Sequence, residues 1–511
     1  MRRSMTAGLS VAVVLSSAAT ASAHPRFEPR PIDRHVYGGG WEHFVGGGLA
    51  AFDCNGDNLP ELYAAGGENP AQLYLNTSAT GRQLSFNKQT PQALALTGVI
   101  GAYPLDIDGD GLLDLAILRV GENLLMRGMG DCAFARFEGL NFDGGDSWTT
   151  AFSATWETGE SLPTLAFGNY VDRTNPDGPF EACDANVLLR PNGDHYQSPT
   201  LLTPGYCALS MLFSDWGRQG RADLRISNDR HYYVRGGEEQ MWAMDASPRL
   251  YGPQDGWQSH QLWGMGIATR DLDGDGLSEV YLTSMGDQRL QLIEPDASAP
   301  TFKDAPFESG ATAHRPYTGG DGRPSTGWHA VFGDVQNDGL ADLFVAKGNV
   351  EQMPGSAMDD PNNMLLGQDG GVRFEEVGLE AGIASLHRSR GAVLMDLNLD
   401  GREDLAVVNR GAPMELYENV TPETGAWLQV ELRQEGINTR AVGAFVEVRS
   451  DDRLWTQEVT VGGGHAGGIT GALHFGVGQV EQVEVRVHWP DGTSGEWQMM
   501  LTGQRVTLTR D

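Results

Sequence analysis

Asp106-Ile-Asp-Gly-Asp-Gly-Leu-Leu-Asp114 places oxygen-bearing side chains at positions 1, 3, 5 and 9 of a nine-residue phrase. The same order returns at Asp53 to Glu61 (DCNGDNLPE), Asp271 to Glu279 (DLDGDGLSE), Asp334 to Asp342 (DVQNDGLAD) and Asp396 to Asp404 (DLNLDGRED). Each phrase runs into a short apolar stretch such as Leu115-Ala-Ile-Leu118, Val280-Tyr-Leu-Thr283 or Leu405-Ala-Val-Val408, which reads as a strand. Alternate oxygens on a tight turn can converge on one point. A hard cation such as calcium wants six to eight of them, from carboxylates, amides and carbonyls. Glycine at position 4 or 6 supplies the positive φ that such a turn needs.

An EF-hand would require a glutamate at position 12 and flanking helices. Position 12 is Ala64, Ile117, Leu282, Val345 and Val407 in the five phrases, and the flanks read as strands, so that loop is excluded. A loop joining the two strands of a hairpin, closed by the position 9 carboxylate, describes the pattern better. The expected ligands are Asp53, Asn55, Asp57 and Glu61; Asp106, Asp108, Asp110 and Asp114; Asp271, Asp273, Asp275 and Glu279; Asp334, Gln336, Asp338 and Asp342; and Asp396, Asn398, Asp400 and Asp404. That gives about five calcium sites. The second and third phrases carry four carboxylates each and should bind most tightly; Asn55, Gln336 and Asn398 each replace an acid in the others.

The first aspartates recur at intervals of 53, 63 and 62 residues, the period of a repeat built from a few strands. The 165-residue gap from Asp106 to Asp271 has room for two more units. One is marked by a degenerate phrase, Asp215 to Asp223 (DWGRQGRAD). There Arg218 and Arg221 stand where charge would otherwise come from a metal, and no metal is expected. The other centres on Phe167 to Asp172, for seven units in all.

At the N-terminus, Arg2 and Arg3 precede an apolar run from Gly8 to Ala19 and then Ala21-Ser22-Ala23. That is the pattern of a signal peptide, residues 1–23, with a mature chain from His24 that is secreted or periplasmic. No other stretch is apolar enough to span a bilayer. Four cysteines in an oxidising compartment suggest two disulfides, and nearness favours Cys183 with Cys207, which leaves Cys54 with Cys132. The formal charge is −32, which repels nucleic acid and anionic membranes.

A later strand in several units is worded alike: Leu73-Tyr-Leu-Asn76, Val187-Leu-Leu-Arg190, Met364-Leu-Leu366 and Leu416-Tyr-Glu-Asn419. With the acidic loops, this wording resembles FG-GAP or VCBS-type repeat proteins. The resemblance covers about residues 36 to 420 and implies an all-β, seven-bladed β-propeller with calcium in its blade loops, as in integrin α-chain heads. From about Pro422 the acidic phrases stop. Asn438 to Ala444, Val461-Gly-Gly-Gly464, Leu473 to Gly478 and Val487-His-Trp-Pro-Asp-Gly492 resemble, in order, the ASPIC/UnbV domain of the cartilage acidic protein family and its bacterial relatives. The expected division is a propeller over 24–420 and a small β-sandwich-like domain over 421–511. His465-Ala-Gly-Gly468 departs from the family pattern, which has an aromatic and Ser-Gln after the glycines.

No Gly-x-Ser-x-Gly elbow, zinc helix or phosphate loop is present, and no catalytic residue can be picked. The first residues of the innermost strands, Tyr103, Met265, Trp328, His329 and Arg390, could face a channel mouth and hold an anionic or sugar ligand. Inter-blade packing is the plainer account of them. Two functions therefore stand: a calcium-stiffened binding or adhesion module for an extracellular protein or carbohydrate, and an enzyme working at the channel mouth. Asn76-Thr-Ser and Asn419-Val-Thr match glycosylation sequons, but both fall in strand wording, which points to a structural role.

Overall fold

Each acidic phrase lies between two paired strands. Leu105 faces Asp114 across the second loop, Arg270 faces Glu279 across the third, and Ser214 faces Asp223 across the degenerate one. The computed structural model describes residues 24–176, 181–229, 236–295, 297–368, 372–450 and 453–510. The expected signal peptide lies outside them.

Among the described residues, seven four-stranded antiparallel sheets precede Pro422. Their first strands, Leu49–Phe52, Val99–Leu105, Thr149–Thr155, Ala208–Ser214, Gly264–Arg270, Gly327–Gly333 and Arg388–Met395, pack one against the next, and the last returns to the first. The fold is thus an all-β propeller. Strands such as Asp114–Arg119 and Glu279–Ser284 are buried along nearly their whole length because a neighbouring blade covers each face. That is why their sequences read as continuous apolar runs rather than alternating ones. Disulfides tie the first blade to the second (Cys54–Cys132) and the third to the fourth (Cys183–Cys207).

The ring is closed by pairing between the first described strand and one late in the propeller. Phe27–Arg30 pairs antiparallel with Leu416–Asn419 and becomes the outer strand of the seventh blade. Phe27 is buried among Val335, Phe344, Leu405 and Tyr417.

After Asn419 come two further sheets, of three and four strands. Ala426–Gln434 runs antiparallel to Leu473–Gly478 and parallel to Gln504–Arg510. Phe445–Arg449 lies between Leu454–Glu458 and Gln482–His488, with Gln498–Leu501 at the edge. They share a core of Leu428, Val430, Val446, Phe475 and Val485.

The loop from Val461 to Thr470 leaves this unit and enters the propeller axis. It hydrogen-bonds the inner strands by backbone: Ala154 N–H to Val461 O at 3.1 Å, Gly463 N–H to Met211 O at 2.6 Å, Gly464 N–H to Ile267 O at 2.7 Å and Gly468 N–H to Ala102 O at 3.2 Å. A β-carbon on Gly467 would lie 2.3 Å from Leu49 O, and one on Gly101 would lie 1.6 Å from Ala466 O, so both sides of the contact are restricted to glycine. From the opposite end, the segment Tyr37–Gly47 closes the axis, with Gly47 N–H bonded to Ile100 O at 3.0 Å. The two closures meet at His465, which is fully buried. Gly46 N–H donates to His465 Nε2 at 3.1 Å, and His465 Nδ1–H donates to Met265 O at 3.0 Å, which fixes a neutral ring.

Two outcomes follow from these closures. Phe27→Ala should lower the urea stability by about 3–5 kcal/mol; an unchanged midpoint would mean that the closing strand lies outside the cooperative unit. Burial holds the folded His465 ring down to about 3, below the 6.5 of an exposed imidazole. Its stabilisation is therefore fully present above pH 6.5 and drains away as pH falls toward 3. Between pH 6.5 and 4 the wild type should lose about 3 kcal/mol more than His465→Gln, read from denaturation midpoints.

Candidate metal loops and the closed channel

The five acidic loops share one hydrogen-bond ladder. The position 1 carboxylate takes the N–H groups of the turn: Gly109 and Gly111 to Asp106, both at 2.9 Å, and Gly274 and Gly276 to Asp271 at 2.8 and 3.0 Å. The position 5 carboxylate takes the N–H of position 7, as Leu112 to Asp110 at 2.9 Å and Leu340 to Asp338 at 2.9 Å. The position 9 acid reaches back to the N–H of position 2, as Ile107 to Asp114 at 2.7 Å and Val335 to Asp342 at 2.9 Å. Positions 4 and 6 are both left-handed, even where they are not glycine: Asn58 has φ 69°, Asn337 has φ 56° and Leu399 has φ 58°. The turn therefore needs a left-handed residue at both positions, where the sequence reading asked for glycine at one or the other.

In the second and third of these loops the side-chain oxygens also converge. One oxygen each from Asp106, Asp108 and Asp114 lies within 4.8 Å of the others, and the same holds for Asp271, Asp273 and Glu279. Burial, with neighbouring carboxylates, pushes Glu61, Asp114 and Glu279 each up to about 8, and Asp271 and Asp396 to about 6. Burial also raises Asp334, Asp342 and Asp404 well above the usual carboxylate range. Hard oxygen donors held together in a low-dielectric site are a donor set that fits a hard divalent cation.

Protein cations share part of this charge. Arg127 bonds Asp108 at 2.8 Å and Asp110 at 2.9 Å, and Arg402 pairs with Asp400. In the degenerate loop, Arg221 sits 3.1 Å from Asp223, whereas Arg218 turns away to Glu447 of the C-terminal unit at 2.8 Å. Cys54, Glu61 and Cys132 also cluster, but the two sulfurs are bonded to each other.

The loops are held from two sides. Asn76 Nδ2 donates to Pro60 O at 3.0 Å and, across the blade boundary, to Leu397 O at 2.8 Å. Asn419 Nδ2 does the same to Glu403 O at 3.2 Å and Val335 O at 2.9 Å. Both sequon asparagines are thus buried clasps on the neighbouring blade's acidic loop, as their place in the strand wording implied. From above, the C-terminal unit presses on the loop face: Trp455 Nε1–H and Arg453 donate to Gly339 O at 2.9 and 2.8 Å, and Arg505 donates to Asn58 O at 3.2 Å.

Tyr103, Met265, Trp328, His329 and Arg390 are brought together, but around the chain's own loop. All five are buried. His465 N–H donates to His329 Nδ1 at 3.0 Å, and Tyr103 O–H donates to Gly463 O at 3.3 Å. The rings of Trp328 and His465 meet edge to face at 5.1 Å, and the Arg390 guanidinium lies 3.8 Å over the Trp328 ring. Arg390 donates to the carbonyls of Phe44, Ser389, Asn349 and Val350. The residues read as a ligand mouth thus serve as the lining of a closure. The signal for it was Val461-Gly-Gly-Gly464, whose destination no local pattern discloses.

Residues 434–511 match the ASPIC and UnbV family model, and residues 53–117 match an FG-GAP-like repeat. No curated protein matches the chain. Among solved structures, BBS1N in complex with ARL6DN is 12% identical over 74% of this chain and 93% of that one, with a TM-score of 0.43. A lectin of Agrocybe aegerita, in a structure described as recognising non-reducing terminal N-acetylglucosamine, is 13% identical over 73% and 94%, with a TM-score of 0.39. A sialidase of Trypanosoma rangeli with sialic acid is 8% identical over 74% of this chain and 60% of that chain, with a TM-score of 0.36. Likenesses this distant carry no argument about what the present chain binds. The chain carries an FG-GAP-like repeat in its propeller and ends in an ASPIC and UnbV domain.

Proposed function

We propose that the protein is exported and acts outside the cytoplasm as a calcium-loaded binding module for an extracellular protein or carbohydrate. The observation that carries this reading is the closure of the axis from both ends by the chain itself, with the loop face covered by the C-terminal domain. The parts that could serve an axial active site are engaged in holding the molecule rigid, and what remains outward is a broad surface. Two disulfides and the absence, among the described residues, of a helix able to span a membrane support export.

Calcium would be held by the oxygens at positions 1, 3, 5 and 9 of the five loops, over residues 53–61, 106–114, 271–279, 334–342 and 396–404. Bound there, the cation supplies charge compensation that lets buried carboxylates remain ionised. The second and third loops, with four carboxylates each, are the strongest, and Arg127 shares the charge of the second. With a formal charge of −32, the surface favours cationic or neutral partners over nucleic acid.

Thermal unfolding in millimolar calcium and in chelator tests the metal. A site bound tenfold tighter than the free calcium adds about 1.4 kcal/mol. Five such sites should raise the melting temperature by roughly 5–10 °C, and coincident curves would overturn structural calcium. Replacing Asp271 and Glu279 by their amides should remove a larger part of the rise than replacing Asp53 and Glu61.

A further inference from the structure

The position 1 aspartate of each loop has more acceptor capacity than its own turn uses. In the second loop, Asp106 Oδ2 takes Gly111 N–H and also the hydroxyl of Thr439 from the C-terminal domain. In the fifth, Asp396 Oδ2 takes Gly401 N–H at 2.8 Å and Nε2–H of Gln429, also at 2.8 Å. In the third, Thr456 lies over the turn, its hydroxyl 3.9 Å from where a β-carbon on Gly276 would be. Its hydroxyl is buried and has no partner of good geometry.

The other two loops differ. Asp53 takes N–H groups of its own turn, from Gly56 at 2.7 Å and Asn58 at 2.8 Å, and the nearest hydrogen bond from the C-terminal domain goes to a carbonyl, that of Asn58. Asp334 faces Gly476, where an added β-carbon would lie 1.9 Å from Oδ2, so no side chain can reach in.

Hydroxyl and amide donors on the outer oxygen of a metal-binding carboxylate fix its orientation and spread its charge. Removing such an outer partner commonly costs 10–100-fold in metal affinity. The two donors that bond directly come from one domain and meet loops of two different blades.

We propose that Thr439 and Gln429 are positioning residues of the second and fifth calcium loops, so that the C-terminal domain completes these sites and calcium binding is coupled to its docking. The proposal rests on the calcium reading given above. Coupling of this kind is reciprocal: whatever factor docking adds to calcium affinity, calcium adds to docking. The glycine loop in the axis belongs to the docked domain and reports on it.

Calcium titration of the full mature chain by calorimetry tests this, comparing wild type with Thr439→Val, Gln429→Leu and the pair together. Thr439→Ser, which keeps the hydroxyl, is the rescue. In the double variant, two sites should weaken about 10-fold while the rest keep their affinity, and the serine variant should titrate as wild type. A double variant that binds calcium as the wild type does overturns the proposal and leaves the calcium reading standing. A wild type that takes up no calcium overturns the reading beneath it. Should the variants fail to fold, hydrogen exchange of the Gly463, Gly464 and Gly468 amides in the wild type decides instead. Exchange should be about 10-fold slower with calcium than with chelator, and equal rates in a calcium-binding wild type overturn the coupling.

Discussion

A ring of sheets leaves its innermost strands with one unpaired edge, and backbone N–H and C=O groups at that edge need partners. In this chain the partners are its own. The loop Val461–Thr470 is bonded to inner strands of the first, second, third, fourth and fifth blades, and that contact governs much of what surrounds it. It allows no β-carbon at Gly101 or Gly467. It also leaves a single imidazole, that of His465, to join the two closures at the centre. A large aromatic and a cation then fill the remaining width, Trp328 against His465 and Arg390 against Trp328, with backbone carbonyls of Phe44 and Val350 accepting from the guanidinium.

How much of this could be read from the sequence depends on the distance between the parts. The acidic phrases are local: nine residues carry their ligand order, their turn and the strand that follows, so five loops and the repeating sheets were legible. The sequon asparagines were legible as structural because they fell in repeated strand wording, and the two cysteine pairs because nearness in sequence favoured Cys183 with Cys207 and left the other two. The closing strand was not, since Phe-Glu-Pro-Arg carries no repeat signature and its partner lies nearly the whole propeller away, at Leu416–Asn419. The axial residues were placed near the axis, but what they faced was set by a loop of the other domain. An aromatic, a histidine and an arginine around a channel mouth look alike in sequence whether they await a ligand or a glycine loop.

The degenerate loop of the fourth blade separates the turn from the metal. It keeps the backbone of its relatives, with Arg218 at φ 52° and Gly220 at φ 78°, and its first aspartate still takes two turn N–H groups, from Gln219 and Gly220 at 2.7 Å. Yet Gly217 stands where the other loops carry an acid or amide as their second oxygen ligand, and Gln219 where all five carry an aspartate. The turn is thus specified by side-chain-to-backbone hydrogen bonds and left-handed residues.

The face presented to that loop by the C-terminal domain is reversed to match. Where the loop carries Arg218, the domain brings Glu447 at 2.8 Å, and Glu458 accepts from Asp215 N–H at 2.9 Å. Where the loops carry acids, it brings a hydroxyl at Asp106 and an amide at Asp396. A surface used merely as an apolar lid would have no reason to switch between hydrogen-bond donors and carboxylate acceptors from blade to blade. One that follows the polarity of each loop is complementary to the loops group by group, and fixes the register in which the domain sits on the ring.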